Sequence, residues 1–180
     1  MAASLPKDEP RERPILCLSG FMGVGKTTLG RALALHLGLP FFDLDECVEV
    51  ATGLPVAELF ATEGEAAFRQ REAVQLRELL STGRRCVVAL GGGTLLDGVL
   101  QAEALRASFV MLLAASPEAI LERVRGTNRP LLGASPELTL PELLRRRASV
   151  YRQAHATLAT DGLSVEAAVS ALRSVWPGGI

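Results

Sequence analysis

The strongest constraint on this chain is a glycine-rich segment near its beginning. Residues 20–27 read Gly-Phe-Met-Gly-Val-Gly-Lys-Thr and match the pattern G-x-x-x-x-G-K-[ST]. The apolar run at residues 15–18 is typical of a strand, and residues 28–37 carry leucines at helical spacing. A strand, a glycine loop and a helix in this order predict a phosphate-binding loop, rather than a glycine-rich turn without a ligand.

The physical basis of such a loop is its backbone. Glycines let backbone N–H groups turn inward around an anion, and the following helix adds its free N–H groups and the positive end of its dipole. Lys26 is expected to reach the β- and γ-phosphates, and Thr27 to offer its hydroxyl to Mg²⁺. The predicted nucleotide-binding residues here are Gly23, Val24, Gly25, Lys26, Thr27 and Thr28.

Composition limits the remaining possibilities. The 180 residues suit one domain, and the net charge of −1 predicts no general attraction to nucleic acid or membranes. The three scattered cysteines form neither a disulfide framework nor a metal-binding spacing, which fits a cytoplasmic protein. Residues 1–13 are polar and contain no signal-peptide stretch, so we expect a flexible tail before a single domain at residues 14–180.

Apolar runs predict five strands, separated by amphipathic segments that predict helices. The strands are expected at residues 15–18, 41–45, 86–90, 109–113 and 156–160. The helices are expected at residues 28–37, 46–51, 65–80, 95–105, 117–124, 141–154 and 164–175, with a further helix opened by Pro55. This alternation predicts a three-layer α/β fold with a parallel sheet, in which ligands bind at the carboxyl ends of the strands.

Two further signals fall at those carboxyl ends. Asp43 and Asp45 are two residues apart on a segment predicted to be extended, so both side chains are expected on the same side. One carboxylate can hold a water of a Mg²⁺ shell and the other a substrate hydroxyl, although aspartate suits a helix N-cap equally well. Gly91, Gly92 and Gly93 end an apolar strand, where the backbone can approach a substrate closely or simply turn.

The order of several motifs resembles that of the shikimate kinases. Each motif is weak alone beyond the phosphate-binding loop, but the ordered set is specific and covers nearly the whole chain from Ile15. After that loop come Phe42-Asp43-Leu44-Asp45, Gly64-Glu65, Phe68-Arg69, Glu72, the triple glycine, Arg129-Pro130-Leu131-Leu132, Arg147 and Tyr151. The chain departs from the family pattern where Ser149-Val150 stands in place of a Pro-Leu pair.

The resemblance implies a fold, an activity and an assembly. It implies a P-loop kinase fold with a five-stranded parallel sheet of order 2-3-1-4-5, a substrate-binding region at about residues 47–80 and a lid at about residues 125–136. It also implies Mg²⁺-dependent transfer of the γ-phosphate of ATP to the 3-hydroxyl of shikimate, on the route to chorismate. ATP and shikimate are the expected partners of a monomer that contacts neither nucleic acid nor membrane.

The resemblance also implies roles for individual residues. Lys26, Asp45 and Arg129 would be catalytic, with Arg129 arriving on the lid, and Thr27 and Asp43 would lie on the metal side. Arg123 and Arg129 would join the nucleotide-binding residues, with Arg125 an equally reachable candidate for stacking on adenine. The shikimate-binding residues would be Asp45, Arg69, Glu72, Gly91, Gly92, Gly93 and Arg147.

Alternatives remain at this point. Arg69 and Glu72 share a helix face and could form an ordinary surface ion pair, and Arg129 could be a solvated loop charge. A gluconate kinase of the same fold would also use arginines to bind a carboxylate. A regulatory nucleotide-binding module without catalysis is a third possibility, but it would be expected to lack one of Lys26, Asp45 and Arg129.

Overall fold

The structure, a computed structural model, describes residues 13–125 and 135–179. Strands and α-helices alternate along the described chain. The strands are β1 (Ile15–Ser19), β2 (Phe41–Asp43), β3 (Cys86–Ala89), β4 (Phe109–Ala114) and β5 (Ala156–Ala159). The helices are α1 (Lys26–Leu37), α2 (Leu44–Thr52), α3 (Val56–Thr62), α4 (Gly64–Ser81), α5 (Gly98–Ala107), α6 (Pro117–Val124), α7 (Pro136–Tyr151) and α8 (Val165–Val175).

The five strands form one sheet of order β2-β3-β1-β4-β5, and every neighbouring pair is parallel. The predicted topology is therefore confirmed. The register sets Asp43 of β2 beside Ala89 of β3, and Ala89 beside Leu18 of β1. The carboxyl ends of these three strands consequently meet at one edge of the sheet.

The two faces of the sheet bury separate apolar clusters. Leu16 and Leu18 of β1 pack in the cluster that contains residues of α1, α6 and α8. Ile15 and Cys17 point the other way, into the cluster that contains Leu76 of α4 and residues of α5. Because side chains alternate along a strand, a fully buried β1 requires helices on both faces, which is the three-layer arrangement predicted.

Several element boundaries differ from the prediction, and three of these differences have a clear local cause. The second strand ends at Asp43, and α2 begins at Leu44, so Asp43 and Asp45 do not share an extended segment. The reason is capping: the Asp43 carboxylate accepts a hydrogen bond from the Asp45 N–H at 3.2 Å and starts the helix. The extended conformation predicted for Leu44 and Asp45 is therefore wrong, whereas Asp43 is extended as predicted.

The other two boundaries also follow from local chemistry. The helix predicted at residues 95–105 is a 3₁₀ turn (Thr94–Leu96) followed by α5, because Asp97 caps α5 by accepting from the N–H groups of Val99 and Leu100. Helix α7 starts at Pro136, a favourable first position, rather than at residue 141. Pro141 consequently lies inside the helix.

The two ends of the described chain are tied together. Trp176, which is 1% exposed, donates its indole N–H to the carbonyl of Arg13 at 3.0 Å. Arg13, predicted as the end of a flexible tail, is therefore held against the domain; residues 1–12 lie outside the described residues. Among the described helices, none combines the length and apolar character needed to cross a membrane.

A histidine completes the hydrogen bonding at the start of β5. The Nδ1 atom of His155 accepts from the Val110 N–H at 2.9 Å, and its ring stacks on Phe109 with the centroids 5.2 Å apart. Only an unprotonated Nδ1 can accept this bond. Burial, followed by the charge of Arg13, lowers the pKa of His155, so the neutral form is favoured in the folded chain.

Candidate active site

A pocket of about 530 Å³ opens at the carboxyl edge of the sheet. Its wall combines the glycine-rich loop, the two aspartates after β2 and the glycines after β3. The three sequence signals that were expected at this edge therefore border one cavity. The lining residues from these segments are Met22, Gly23, Val24, Gly25, Lys26, Thr27, Thr28, Leu29, Asp43, Asp45, Leu90, Gly91 and Gly92.

Two glycines give the phosphate-binding loop its shape. At Gly20 the backbone has φ 139°, and an added Cβ would lie 2.3 Å from the carbonyl oxygen of Leu113. Gly25 has φ 97° and immediately precedes α1, which begins at Lys26. Both conformations strain any residue with a side chain. The free N–H groups at the start of α1 therefore face the pocket as an anion site.

Lys26 forms hydrogen bonds within the phosphate-binding loop. Its Nζ atom donates to the carbonyl oxygens of Gly20 and Phe21, each at 2.9 Å. These contacts hold the ammonium group at the mouth of the loop, on the pocket wall. A cation fixed in this place can neutralise phosphate oxygens bound by the loop N–H groups.

Thr27 and Asp43 form the candidate metal side of the pocket. The Thr27 hydroxyl donates to Asp43 Oδ2 at 2.7 Å, which joins the start of α1 to the end of β2. A hydroxyl and a carboxylate fit Mg²⁺, because Mg²⁺ is commonly held by one or two carboxylates together with substrate phosphates and waters. The donor set is therefore chemically suited to a nucleotide-bound Mg²⁺.

Asp45 has the most perturbed carboxyl group of the pocket. Its pKa is raised to about 6, first by burial and then by the negative charges of Asp43 and Glu72, while Lys26 and Arg69 act in the opposite direction. The residue is nevertheless exposed toward the open pocket, so its burial is only partial. Such a carboxylate is ionised at neutral pH and basic enough to accept a proton, as a general base must.

Arg69 is held by two glutamates of its own helix. Its Nη1 atom donates to Glu72 Oε2 at 2.8 Å, and its Nε and Nη2 atoms donate to Glu65 Oε1 at 3.3 and 3.1 Å. Glu72 is 1% exposed, whereas the Glu65 side chain is 65% exposed. The Arg69–Glu72 contact is therefore not an ordinary surface pair, because one partner is fully buried.

Arg147 lies on the opposite side of the triple glycine. Its Nη1 atom donates to the Gly92 carbonyl at 2.9 Å, and its guanidinium lies 5.0 Å from the centre of the Phe21 ring. Tyr151, one turn later on α7, donates its hydroxyl to the same carbonyl at 3.4 Å. These contacts select Arg147 from a run of three arginines, since Arg145 and Arg146 pair with Glu142 on the surface.

The triple glycine makes room for charged side chains. An added Cβ at Gly91 would lie 2.3 Å from Glu72 Oε1, and one at Gly93 would lie 2.8 Å from Arg69 Nη2. At Gly92 the nearest atom, Arg147 Nη1, would be 3.5 Å away, an ordinary contact. The glycines therefore bring Glu72, Arg69 and Arg147 around one turn of backbone.

Arg123 borders the other end of the pocket. Its Nη1 atom donates to the Thr160 hydroxyl at 3.1 Å, and its Nη2 atom to the Thr160 carbonyl at 3.2 Å. Arg125 is the residue after α6 and is not among the pocket-lining residues. The geometry therefore favours Arg123 over Arg125 as the arginine that contacts a nucleotide base.

Sequence reasoning missed the residues after β5 that complete this end of the pocket. They are Thr160, Leu163, Val165 and Ala168. A signal was present, because β5 is parallel to the other strands and its carboxyl end must meet the same edge. The apolar side chains of Leu163, Val165 and Ala168 border the same cavity as Arg123 and suit the flat face of a base.

Arg129 and most of the predicted lid, residues 126–134, lie outside the described residues. No acidic residue directly follows β3, whose chain continues as Leu90-Gly91, and the carboxylates that line this pocket among the described residues are those of Asp43 and Asp45. This fits the implied arrangement, in which Asp43 and Thr27 serve the metal side.

Comparison with known proteins identifies the family. The family model described as shikimate kinase matches residues 22–175, most of the chain. This chain belongs to the shikimate kinase family. A shikimate kinase from Thermus thermophilus is 43% identical over 171 residues, covering 93% of this chain and 92% of the relative. One from Thermodesulfovibrio yellowstonii is 39% identical over 153 residues, covering 84% of this chain and 88% of the relative.

Solved structures of the family have the same fold. The structure of the Acinetobacter baumannii shikimate kinase, determined in complex with shikimate, matches with a TM-score of 0.83 and 38% identity, covering 91% of this chain and 93% of that chain. The Bacteroides thetaiotaomicron shikimate kinase matches with a TM-score of 0.80 and 32% identity, covering 89% and 97%. The predicted family and fold are confirmed, and membership makes this chain a nucleotide-binding kinase of aromatic amino acid biosynthesis. It also decides against gluconate kinase.

Proposed function

We propose that this chain transfers the γ-phosphate of ATP to the 3-hydroxyl of shikimate, giving shikimate 3-phosphate and ADP, and that the pocket at the sheet edge is where it does so. The observation that carries this proposal is that one cavity joins a phosphate-binding loop to Asp45, a carboxylate with a raised pKa. Family membership supplies the reaction, and the local geometry supports a division of roles among the residues.

The nucleotide occupies the side of the pocket formed by the loop and by α8. The N–H groups of residues 23–28 bind its phosphates, Lys26 neutralises the β- and γ-phosphate charge, and Arg123 meets the base. Thr27 and Asp43 would hold the Mg²⁺ that accompanies ATP. When bound, this ion supplies positive charge to the phosphate oxygens.

Shikimate occupies the space beside the pocket, between Asp45, α4 and α7; Arg69 and Arg147 lie next to the triple glycine and are not among the pocket-lining residues. Arg69 and Arg147 bind the shikimate carboxylate, because a guanidinium fork matches a carboxylate and both side chains border the triple glycine. Asp45 accepts a hydrogen bond from the hydroxyl to be phosphorylated. This places the reacting oxygen near the loop that holds the γ-phosphate, since Asp45 and Lys26 share the pocket wall.

Asp45 then acts as the base. As the 3-hydroxyl oxygen forms its bond to the γ-phosphorus, its proton passes to the Asp45 carboxylate, and the bond to the ADP oxygen breaks. Substrate entry displaces water from around Asp45, which further favours the protonated carboxyl. Arg129, arriving on a lid at residues 125–136, stabilises the charge on the transferred group.

We further propose a cellular location and an assembly state for the enzyme. We place the enzyme in the cytoplasm, acting as a monomer formed by one domain at residues 14–180, with residues 47–80 forming the shikimate-binding region. The absence of a membrane-crossing helix among the described residues is compatible with this placement.

Asp45→Asn tests the assignment of the base. The substitution keeps the shape and removes the basic carboxylate, so we expect kcat to fall by roughly 10²–10⁴-fold, the usual contribution of general base catalysis. ADP affinity, measured by calorimetry, should stay unchanged. The matched control is Asp97→Asn, because Asp97 caps α5 outside the pocket and asparagine caps equally well. A kcat within about threefold of wild type in Asp45→Asn would contradict the assignment.

A further inference from the structure

Thr94 is a buried polar residue that the roles above do not use. It is 2% exposed and begins the 3₁₀ turn directly after the triple glycine. Its hydroxyl donates to Glu72 Oε1 at 2.5 Å and lies 3.0 Å from the Gly91 carbonyl oxygen. A hydroxyl has one proton, and the short distance to a carboxylate is that of a charge-assisted hydrogen bond. The Thr94 proton therefore goes to Glu72.

Each carboxylate oxygen of Glu72 has its own hydrogen-bond donor. Its Oε1 atom accepts from Thr94, and its Oε2 atom accepts from Arg69. At 1% exposure the carboxylate has almost no contact with solvent, so these two bonds replace its hydration. Glu72 thus connects a fixed point of the backbone turn to the guanidinium end of Arg69.

The slot that holds Glu72 Oε1 is built by the turn itself. An added Cβ at Gly91 would lie 2.3 Å from Glu72 Oε1 and 3.0 Å from Thr94 Oγ1. The missing side chain at Gly91 and the hydroxyl of Thr94 together define where this oxygen can sit. A rotated carboxylate would lose the contact with Thr94.

The orientation of the Arg69 guanidinium depends on its hydrogen bond to Glu72. The Arg69 side chain is 33% exposed, and its other tether, Glu65, is 65% exposed and screened by water. The bond to buried Glu72 is therefore the contact that fixes the guanidinium. An arginine that is held in advance loses less rotational freedom when it binds a carboxylate.

We propose that Thr94 is a positioning residue for substrate binding: its hydroxyl fixes the Glu72 carboxylate, which aims Arg69 at the carboxylate of the substrate. This inference rests on the proposed carboxylate-binding role of Arg69. Thr94 itself touches neither substrate nor nucleotide in this scheme. Its contribution lies in substrate affinity, separate from nucleotide affinity and from the chemical step.

A double-mutant cycle on shikimate affinity tests the proposal. Thr94→Val keeps the volume and removes the hydroxyl, so the dissociation constant for shikimate, measured by calorimetry with MgADP present, should rise about tenfold, as expected for one lost charge-assisted hydrogen bond. In an Arg69→Ala background, Thr94→Val should change the dissociation constant for shikimate by no more than about twofold, because the guanidinium that Thr94 helps to position is absent. Thr94→Ser, which keeps the hydroxyl, should restore most of the affinity.

Several controls separate positioning from a structural role. The dissociation constant for ADP should stay within about twofold of wild type in Thr94→Val. Thr82→Val, at an exposed threonine after α4, should alter neither affinity. If Thr94→Val does not fold, Thr94→Ala makes the same test. Equal losses of ADP and shikimate affinity would indicate a structural role and overturn the proposal.

The outcomes also distinguish this proposal from the role on which it rests. Wild-type shikimate affinity in Arg69→Ala would remove the carboxylate-binding role of Arg69, and the Thr94 proposal with it. Two results would leave the Arg69 role intact and overturn the Thr94 proposal alone. One is weaker shikimate binding in Arg69→Ala together with unchanged shikimate binding in Thr94→Val. The other is a loss of shikimate affinity in the double variant that equals the sum of the two single losses in free energy.

Discussion

The structure makes a graded prediction for alanine substitutions across the triple glycine. Gly91→Ala would place a methyl group 2.3 Å from Glu72 Oε1, whereas Gly92→Ala would place it 3.5 Å from its nearest neighbour, Arg147 Nη1. Neither glycine has a positive φ, so the backbone alone does not forbid alanine. The difference between the two variants therefore comes from what each methyl group meets.

The magnitude at Gly91 follows from the partners of Glu72. A flexible side chain often moves aside cheaply, but the Glu72 carboxylate is buried and bonded to both Arg69 and Thr94. Moving Oε1 breaks the Thr94 bond and leaves a buried charge incompletely paired, which costs about 2 kcal/mol. For a domain of this size that loss lowers Tm by about 4–8 °C.

Thermal unfolding and shikimate binding together provide the assay. Gly91→Ala should lower Tm by that amount and weaken shikimate binding, since Arg69 loses its anchor. Gly98→Ala is the matched control, because an added Cβ there meets no atom within 4 Å and α5 favours alanine. Its Tm should stay the same or rise slightly. Gly92→Ala should resemble the control in Tm.

A Gly91→Ala variant with wild-type Tm and wild-type shikimate affinity would refute this reasoning. So would equal destabilisation at Gly91 and Gly92, because the predicted difference rests entirely on the Glu72 contact.

Three further predictions concern other parts of the molecule. Arg147→Ala should weaken shikimate binding roughly tenfold to a hundredfold and leave ADP affinity unchanged, as calorimetry can show, whereas unchanged shikimate affinity would place the carboxylate elsewhere. Arg129→Ala should lower kcat far more than it weakens shikimate binding, and Arg129→Lys should recover only part of the rate; the reverse pattern in steady-state kinetics would contradict a role in phosphoryl transfer. Because the pKa of His155 is lowered in the folded chain, the unfolded chain binds the proton more readily. The contribution of neutral His155 to the free energy of unfolding should therefore be present above pH 6.5 and be lost as the pH falls through the lower pKa of the folded state. Urea unfolding of His155→Asn, whose amide oxygen can still accept from Val110, should show a smaller loss than wild type as the pH falls from about 7.5 to about 5, and an equal loss would contradict the assignment.

The sequence predicted the fold well because its strands are strongly marked. β1, β3 and β4 are short, largely apolar runs, and each carboxyl end is followed by turn residues or glycines. The phosphate-binding loop then fixed which edge of the sheet carries the site. Boundaries were less predictable where one side chain decides them, as at Asp43 and Asp97, since capping bonds leave no periodic signal.

The candidate site was only partly predictable. Family motifs located Asp45, Arg69 and Arg147, but the sequence could not show that Glu72 is buried or that Thr94 reaches it across 22 residues. The wall after β5 was also missed, because Thr160 and Leu163 follow a short strand and match no motif. Contacts between distant segments depend on helix packing, which a single sequence does not display.

The most direct test of the central claim is ADP formation from MgATP with shikimate, gluconate and quinate compared side by side, using wild type and Lys26→Ala. We expect the wild type to release ADP rapidly with shikimate but not with gluconate or quinate, and to form shikimate 3-phosphate in equal amount. Lys26→Ala should lose turnover with the fold intact, because the lysine neutralises charge on the transferred phosphate. Equal turnover with gluconate or quinate, or substantial activity in Lys26→Ala, would contradict the central claim.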